Sequence, residues 1–290
     1  METYTAVLNE QQLKELQTNM KKYLVTKELP YTRFQIKLSD CTITAYTSNK
    51  VVFQGEAADV YASKYLRVSA KATPAQVTYP QAGSDEVGTG DYFGPVCVCA
   101  SIVEEKNLDL CKQLKIQDSK QLTDEHILKI APLLMKELTY SLLILDNYKY
   151  NQIHETNNMN AIKAKLHNQA YLNLRTKTDL PSLCVIDQFT PKASYYRYLK
   201  DEEKIVETLT FETKAENKYL AVACGSIIAR YAFLKAMDSL SEHYHMTLPK
   251  GSGVSADAVI QAFYDEYGMK GLYNAAKVHF KNTEKIVQKN

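Results

Sequence analysis

Asp85 and Glu86 stand side by side at the end of a short apolar run, directly before a turn with glycines at 88, 90 and 94. Carboxylates supply hard oxygen ligands for divalent cations, and glycines let a backbone approach a bulky anionic group closely. The pair over the turn suits metal and phosphate together. It is not a dinucleotide fingerprint, because no Gly-x-Gly-x-x-Gly opens a helix here. Alone, the stretch reads equally as a tight hairpin carrying a common dipeptide. Two acids downstream add to it. Asp187 ends the apolar run 183–187, at the sheet edge where α/β proteins place ligands. Glu216 comes just before a small-residue helix that starts near 219. Each also has a plain reading, Asp187 as a turn-forming residue or cap and Glu216 as a first-turn acid favoured by the helix dipole. Gathered together, Asp85, Glu86, Asp187 and Glu216 would repel one another unless cations neutralised them. Two Mg²⁺ or Mn²⁺ ions about 4 Å apart could then stabilise the attacking and leaving oxygens of an in-line phosphoryl displacement.

The elements that must position these acids form two groups. Residues 9–24 place Leu13, Leu16, Met20, Tyr23 and Leu24 at helical spacing. Three alternating runs at 33–38, 42–47 and 51–54 read as an antiparallel meander, and a helix over about 56–70 closes a small α+β unit, 1–70. Residues 71–80 carry two prolines and little periodicity, and read as a linker. From 81 to 290 the pattern is α/β. Strands are expected at the two sides of the glycine turn and at 141–145, 183–187 and 205–211. Helices are expected from Thr123 to about Leu138, with Pro132 predicting a kink, and over 160–174, 219–237, 257–267 and 271–277. Ala221, Gly225 and Ala229 recur every four residues, a smooth face for close packing on a sheet.

Composition sets broad limits. At 290 residues, 45% hydrophobic and 23% charged, the chain suits a globular protein of one or two domains. No apolar run is expected to reach the roughly 18 residues that span a bilayer, and the first residues lack the basic and apolar regions of a secretory signal. A cytoplasmic protein is expected. The six cysteines form no Cys-x-x-Cys, so buried reduced thiols are expected and disulfides or structural zinc are not. Net charge is only +2, and the basic excess falls in the first 80 residues.

The order of motifs carries a resemblance. Gly83-Ser84-Asp85-Glu86-Val87-Gly88-Thr89-Gly90-Asp91-Tyr92-Phe93-Gly94-Pro95 is followed by Asp118-Ser119-Lys120-Gln121-Leu122, then Val185-Ile186-Asp187-Gln188-Phe189, Lys214-Ala215-Glu216 and Ser226-Ile227-Ile228-Ala229-Arg230. Over essentially its whole length the chain resembles the type 2 ribonucleases H. Thr89 between the glycines, Glu as the fourth acid, and the tail from His279 to Lys285 resemble the bacterial ribonuclease HIII branch more than ribonuclease HII. The resemblance implies a ribonuclease-H-like catalytic domain, a mixed sheet flanked by helices, after an N-terminal domain similar to a TATA-box-binding-protein half. It implies hydrolysis of the RNA strand of RNA–DNA hybrids by two Mg²⁺ or Mn²⁺ ions, leaving 5′-phosphate and 3′-hydroxyl ends. Asp85, Glu86, Asp187 and Glu216 match the catalytic, metal-binding acids. Gly88, Thr89 and Gly90 match the loop that approaches 2′-hydroxyls, and Ser119 and Lys120 match a phosphate-touching segment. Incision at single embedded ribonucleotides, as in ribonuclease HII, is the alternative. Tyr31, Arg33, Phe34, Lys37, Tyr46, Lys50 and Phe53 suggest a hybrid-gripping face, although Phe34, Ile36 and Phe53 read better as core. Neither a membrane nor an oligomer is called for, and a monomer is expected.

Overall fold

The computed structural model describes residues 2–25, 30–55, 58–62, 78–116 and 122–287. The chain divides into two compact units, Met1–Val77 and Thr78–Asn290. The expected linker lies outside the described residues up to 77, as does most of the expected 56–70 helix.

The first unit runs β1 (Glu2–Val7), α1 (Glu10–Asn19), β2 (Thr32–Lys37), β3 (Cys41–Tyr46), β4 (Lys50–Gly55) and α2 (Ala58–Ala62). Its antiparallel sheet has the order β1-β4-β3-β2. Strand β1 was not expected. It pairs along its whole length with β4, yet its inward residues include only Tyr4 and Ala6, too weak an alternation to read. Helix α1 starts at a reciprocal cap, Asn9 accepting from the Gln12 amide while the Gln12 side chain accepts from Asn9. It ends at Asn19, short of 24. Leu13 and Leu16 pack on Ile36, Ile43, Val51 and Phe53 on one face of the sheet.

The second unit contains β5 (Gln81–Val87), β6 (Val96–Val103), α3 (Leu108–Gln113), α4 (Asp124–Glu137), β7 (Thr139–Leu145), α5 (Asn147–His154), α6 (Met159–Lys177), β8 (Leu183–Asp187), α7 (Lys192–Tyr198), β9 (Leu209–Glu212), α8 (Leu220–His243), α9 (Val254–Ala275) and α10 (Lys281–Val287). The mixed sheet has the order β7-β6-β5-β8-β9, antiparallel on the β7 side and parallel from β5 to β9. Both faces are covered. Val96, Val98, Ala100 and Ile102 of β6 meet the α6 side, whereas Cys97, Cys99 and Val103 meet α4 and α8.

Helix α8 packs unusually close to β5. A Cβ on Gly83 would lie 2.3 Å from the Val222 nitrogen, and one on Gly225 would lie 2.8 Å from the Cys99 carbonyl oxygen. The two glycines are therefore the condition for this close approach. Contrary to expectation, α8 is long and apolar enough to cross a membrane, with mean hydropathy 1.5 over its best window. Burial of 72% of that window explains the composition. Pro132 does not end α4, which Thr123 caps by accepting from the His126 amide. The expected 205–211 strand is shorter, because Asn168 engages the Val206 amide and the Lys204 carbonyl in place of a ladder. Gly268 (φ 62°) interrupts α9, between the two helices expected there.

Candidate active site

Strand register determines which acids meet. Ser84 pairs with Ile186 across β5 and β8, so the next residue, Asp85, comes level with Asp187. Successive side chains point to opposite faces. Asp85 and Asp187 thus share the α8 face, while Ser84 and Glu86 share the α6 face. Glu216 reaches the α8 side from a short 3-10 turn, Ala215–Asn217, entered through Lys214 in the left-handed region (φ 55°). Asp85, Asp187 and Glu216 line one pocket of about 180 Å³, closed by Ile127, Ser226, Ile227 and Arg230. Three of the four acids converge there, and Glu86 turns away.

Each carboxylate has its own support. Asp85 accepts from the Ser226 hydroxyl and from the Glu86 amide. Burial, followed by the charges of Glu86 and Asp187, pushes its carboxyl up to about 7. Asp187 accepts from the Ala215 amide at 2.9 Å, which ties β8 to the turn bearing Glu216. Glu86 is gripped from α6, Lys163 Nζ to Oε1 at 2.7 Å and His167 Nε2 to Oε2 at 2.9 Å. Burial pushes Glu86 up, but His167 and Lys163 together outweigh it and hold the carboxyl below its usual value.

Among the described residues, no three His, Cys, Asp or Glu side chains sit close enough to chelate an ion as they stand. The donor set nevertheless fits a divalent cation. Three oxygen-bearing acids face one pocket, and burial, followed by the charges of Glu86 and Asp187, makes Asp85 harder to ionise, a penalty that a bound cation reverses.

The turn after β5 has two kinds of glycine. Gly88 adopts φ +94° and a Cβ there would meet the Pro95 oxygen at 2.1 Å; the space beside exposed Gly90 is open. Thr89 is half-buried. Ser119 and Lys120 lie outside the described residues. Arg230, at the pocket wall, donates from Nε and Nη2 to Asp124, which also pairs with Lys250.

The model of the family described as Ribonuclease HII matches residues 82–283, and that of a domain of unknown function (DUF3378) matches residues 5–77. A ribonuclease HIII from Streptococcus gordonii is 41% identical over 99% of both chains. One from Bacillus pumilus is 41% identical over 94% of both. The chain belongs to the ribonuclease HIII family. It is thereby an RNA-degrading hydrolase of the ribonuclease H type. Bst-RNase HIII, solved in complex with Mn²⁺, is 36% identical and superposes with a TM-score of 0.72, covering 99% of this chain and 98% of that one.

Sequence reasoning missed several residues of this ribonuclease HIII site. Lys163 and His167 interrupt an otherwise apolar stripe on α6 that continues with Tyr171 and Leu174. Polar groups at core-facing positions were the available signal. A second omission is the clasp on the glycine turn. Lys277, fully buried, donates from Nζ to the Asp91 and Gly94 carbonyls at 2.8 and 2.5 Å. The Gly94 amide donates to the Ala275 carbonyl, and Tyr92 meets Thr283 at 2.8 Å. Nothing local in residues 88–94 announces these partners.

In the first unit the expected gripping face is only partly available. Arg33 is spent on a two-pronged pair with Glu10 at 2.8 Å, whereas Ile36 and Phe53 are buried, in keeping with their reading as core. Tyr31, Lys37 and Lys50 are exposed, and Tyr46 is half-buried.

Proposed function

We propose that this chain cleaves the RNA strand of RNA–DNA hybrids endonucleolytically, leaving 5′-phosphate and 3′-hydroxyl ends. Asp85, Glu86, Asp187 and Glu216 would hold two Mg²⁺ or Mn²⁺ ions. The carrying observation is the convergence of Asp85, Asp187 and Glu216, from three separate segments, on one pocket. The relative solved with Mn²⁺ supports the choice of ion. Such ions stabilise the attacking and leaving oxygens of the phosphodiester and lower the pKa of water.

The chain's own residues have distinct tasks. Ser226 holds Asp85 at the pocket centre, and the Ala215 amide orients Asp187. Arg230 lines the pocket wall but is engaged by Asp124 and the Leu122 carbonyl, so it shapes the wall rather than standing free to meet a phosphate. Gly90 leaves room for a ribose to approach the backbone, and a 2′-hydroxyl read there would separate RNA from DNA. In the first unit, exposed Lys37 and Lys50 supply positive charge on the sheet face opposite Leu13 and Leu16, beside Thr42 and Val7 in register. All six cysteines are buried free thiols, in keeping with a reducing, cytoplasmic setting.

The test is cleavage mapping with added Mg²⁺ or Mn²⁺ on a hybrid with a run of ribonucleotides, a duplex with one embedded ribonucleotide, and plain DNA. Cuts within the run, and their loss in Asp85→Asn with hybrid binding kept, are expected. Full turnover by Asp85→Asn, or no cleavage of the run, would refute the reading.

A further inference from the structure

Both carboxylate oxygens of Glu86 are taken by side chains of α6, Lys163 and His167. We propose that Lys163 is a built-in counter-cation, which occupies Glu86 in the hybrid-free protein and must be displaced before Glu86 can ligate a divalent ion. The inference deepens the functional reading above and rests on it.

Lys163 and His167 are one helical turn apart on α6 and both buried, at 8% and 0% exposure. Neither is placed by chance. The His167 Nδ1 lies 2.7 Å from the Ser84 hydroxyl, which fixes the ring, and the ring stacks on Phe189 at 5.3 Å. Lys163 Nζ sits 4.0 Å above the same Phe189 ring while holding Glu86 Oε1. Carboxylate and aromatic face together thus hold the ammonium where a cation is wanted. Immobilising a lysine costs side-chain entropy, which a surface lysine avoids. Ser84 and Glu86 are two apart on β5 and share a face, so one imidazole braces both.

This arrangement has a signed consequence. Lys163 neutralises Glu86, so the hybrid-free site reduces to Asp85, Asp187 and Glu216. Removing the ammonium alone frees a negative charge close to that site and strengthens cation binding. Removing Lys163 and Glu86 together restores the original net charge. A lysine that merely packs α6 against the sheet would produce neither effect.

The experiment is calorimetric titration of Mn²⁺ into the full chain without nucleic acid. Lys163→Gln should bind Mn²⁺ about tenfold tighter, the order expected for removing a full positive charge from the neighbourhood of a cation site. Lys163→Arg, which keeps the charge, should stay within about twofold of the wild type on the same argument. The Glu86→Gln/Lys163→Gln double variant should return to roughly wild-type affinity, and it remains informative if the single variant does not fold, because removing both members of a buried pair is far better tolerated than removing one. Unchanged or weaker binding by Lys163→Gln would overturn the proposal. So would loss of Mn²⁺ binding in the double variant, since Glu86 would then be a ligand already. Hybrid cleavage by the wild type, run alongside, separates the two claims. A wild type that cuts hybrids while the Mn²⁺ prediction fails sinks the counter-cation alone.

Discussion

Asp85 and Glu86 are neighbours in sequence but project from opposite faces of β5. Asp85 enters the pocket beside Asp187, level with it across the parallel strand pair, and Glu86 is held by Lys163 and His167 on α6. A dipeptide that reads as one ligand pair is thus split between two environments, one raising its carboxyl and the other lowering it.

Asp85 should be a liability to the metal-free fold. Replacing it by Asn removes a buried charge that faces Glu86 and Asp187. In EDTA, Asp85→Asn should melt a few degrees above wild type at pH 7.5, since about 1 kcal/mol shifts a domain of this size by roughly 2–4 °C. Calorimetry of both proteins checks this; a lower melting point in the variant contradicts it.

The pH dependence follows from the same group. Its folded carboxyl titrates at about 7, above the ordinary aspartate value of 3.8. A raised acid favours the fold at low pH, and that advantage is lost as pH climbs from about 4 through 7. The gap between Asp85→Asn and wild type in EDTA should therefore widen over that window. Added Mn²⁺ should stabilise the wild type more at pH 8 than at pH 5.5, where the ion competes with a proton.

The two glycines of the turn should behave oppositely. Gly88→Ala meets both a left-handed backbone, costing roughly 1–2 kcal/mol, and a Cβ 2.1 Å from the Pro95 oxygen. It should lower Tm by several degrees. Gly90→Ala faces open space, so its stability should change by less than about 0.5 kcal/mol while KM for hybrid rises. Equal loss of stability in both would show that Gly90 is a packing residue.

Lys37 and Lys50 should act through affinity and not chemistry. Changing each to Gln should raise KM with kcat nearly constant. The salt dependence of hybrid binding should flatten by about one unit for each phosphate that no longer has a lysine partner. Arg33→Gln, whose partner is Glu10, should leave the salt slope unchanged.

Much of this architecture was legible from local pattern. Residues 33–37 and 42–45 alternate in polarity within the meander, and β8 is an uninterrupted apolar run ending in an acid. Asp85, Asp187 and Glu216 stood out because each closes or precedes such an element. What stayed hidden depends on distant partners. The split of Asp85 from Glu86 follows from strand alternation, but which of the two meets Asp187 depends on register with β8, a strand far downstream in the chain. Helices α3, α5 and α7 are short; Asp146 caps α5 on the Lys149 amide, whereas α3 and α7 start without a side-chain cap. Strand β1 forms because β4 offers an edge, not because its own residues demand one.

The clasp of Lys277 on the Asp91 and Gly94 carbonyls has a consequence for biosynthesis. The turn that borders the acids is made on the ribosome well before the residue that locks it, since Lys277 follows Asp91 by 186 positions. Until then those carbonyls lack their ammonium partner, so a partly translated chain should be unable to cut nucleic acid.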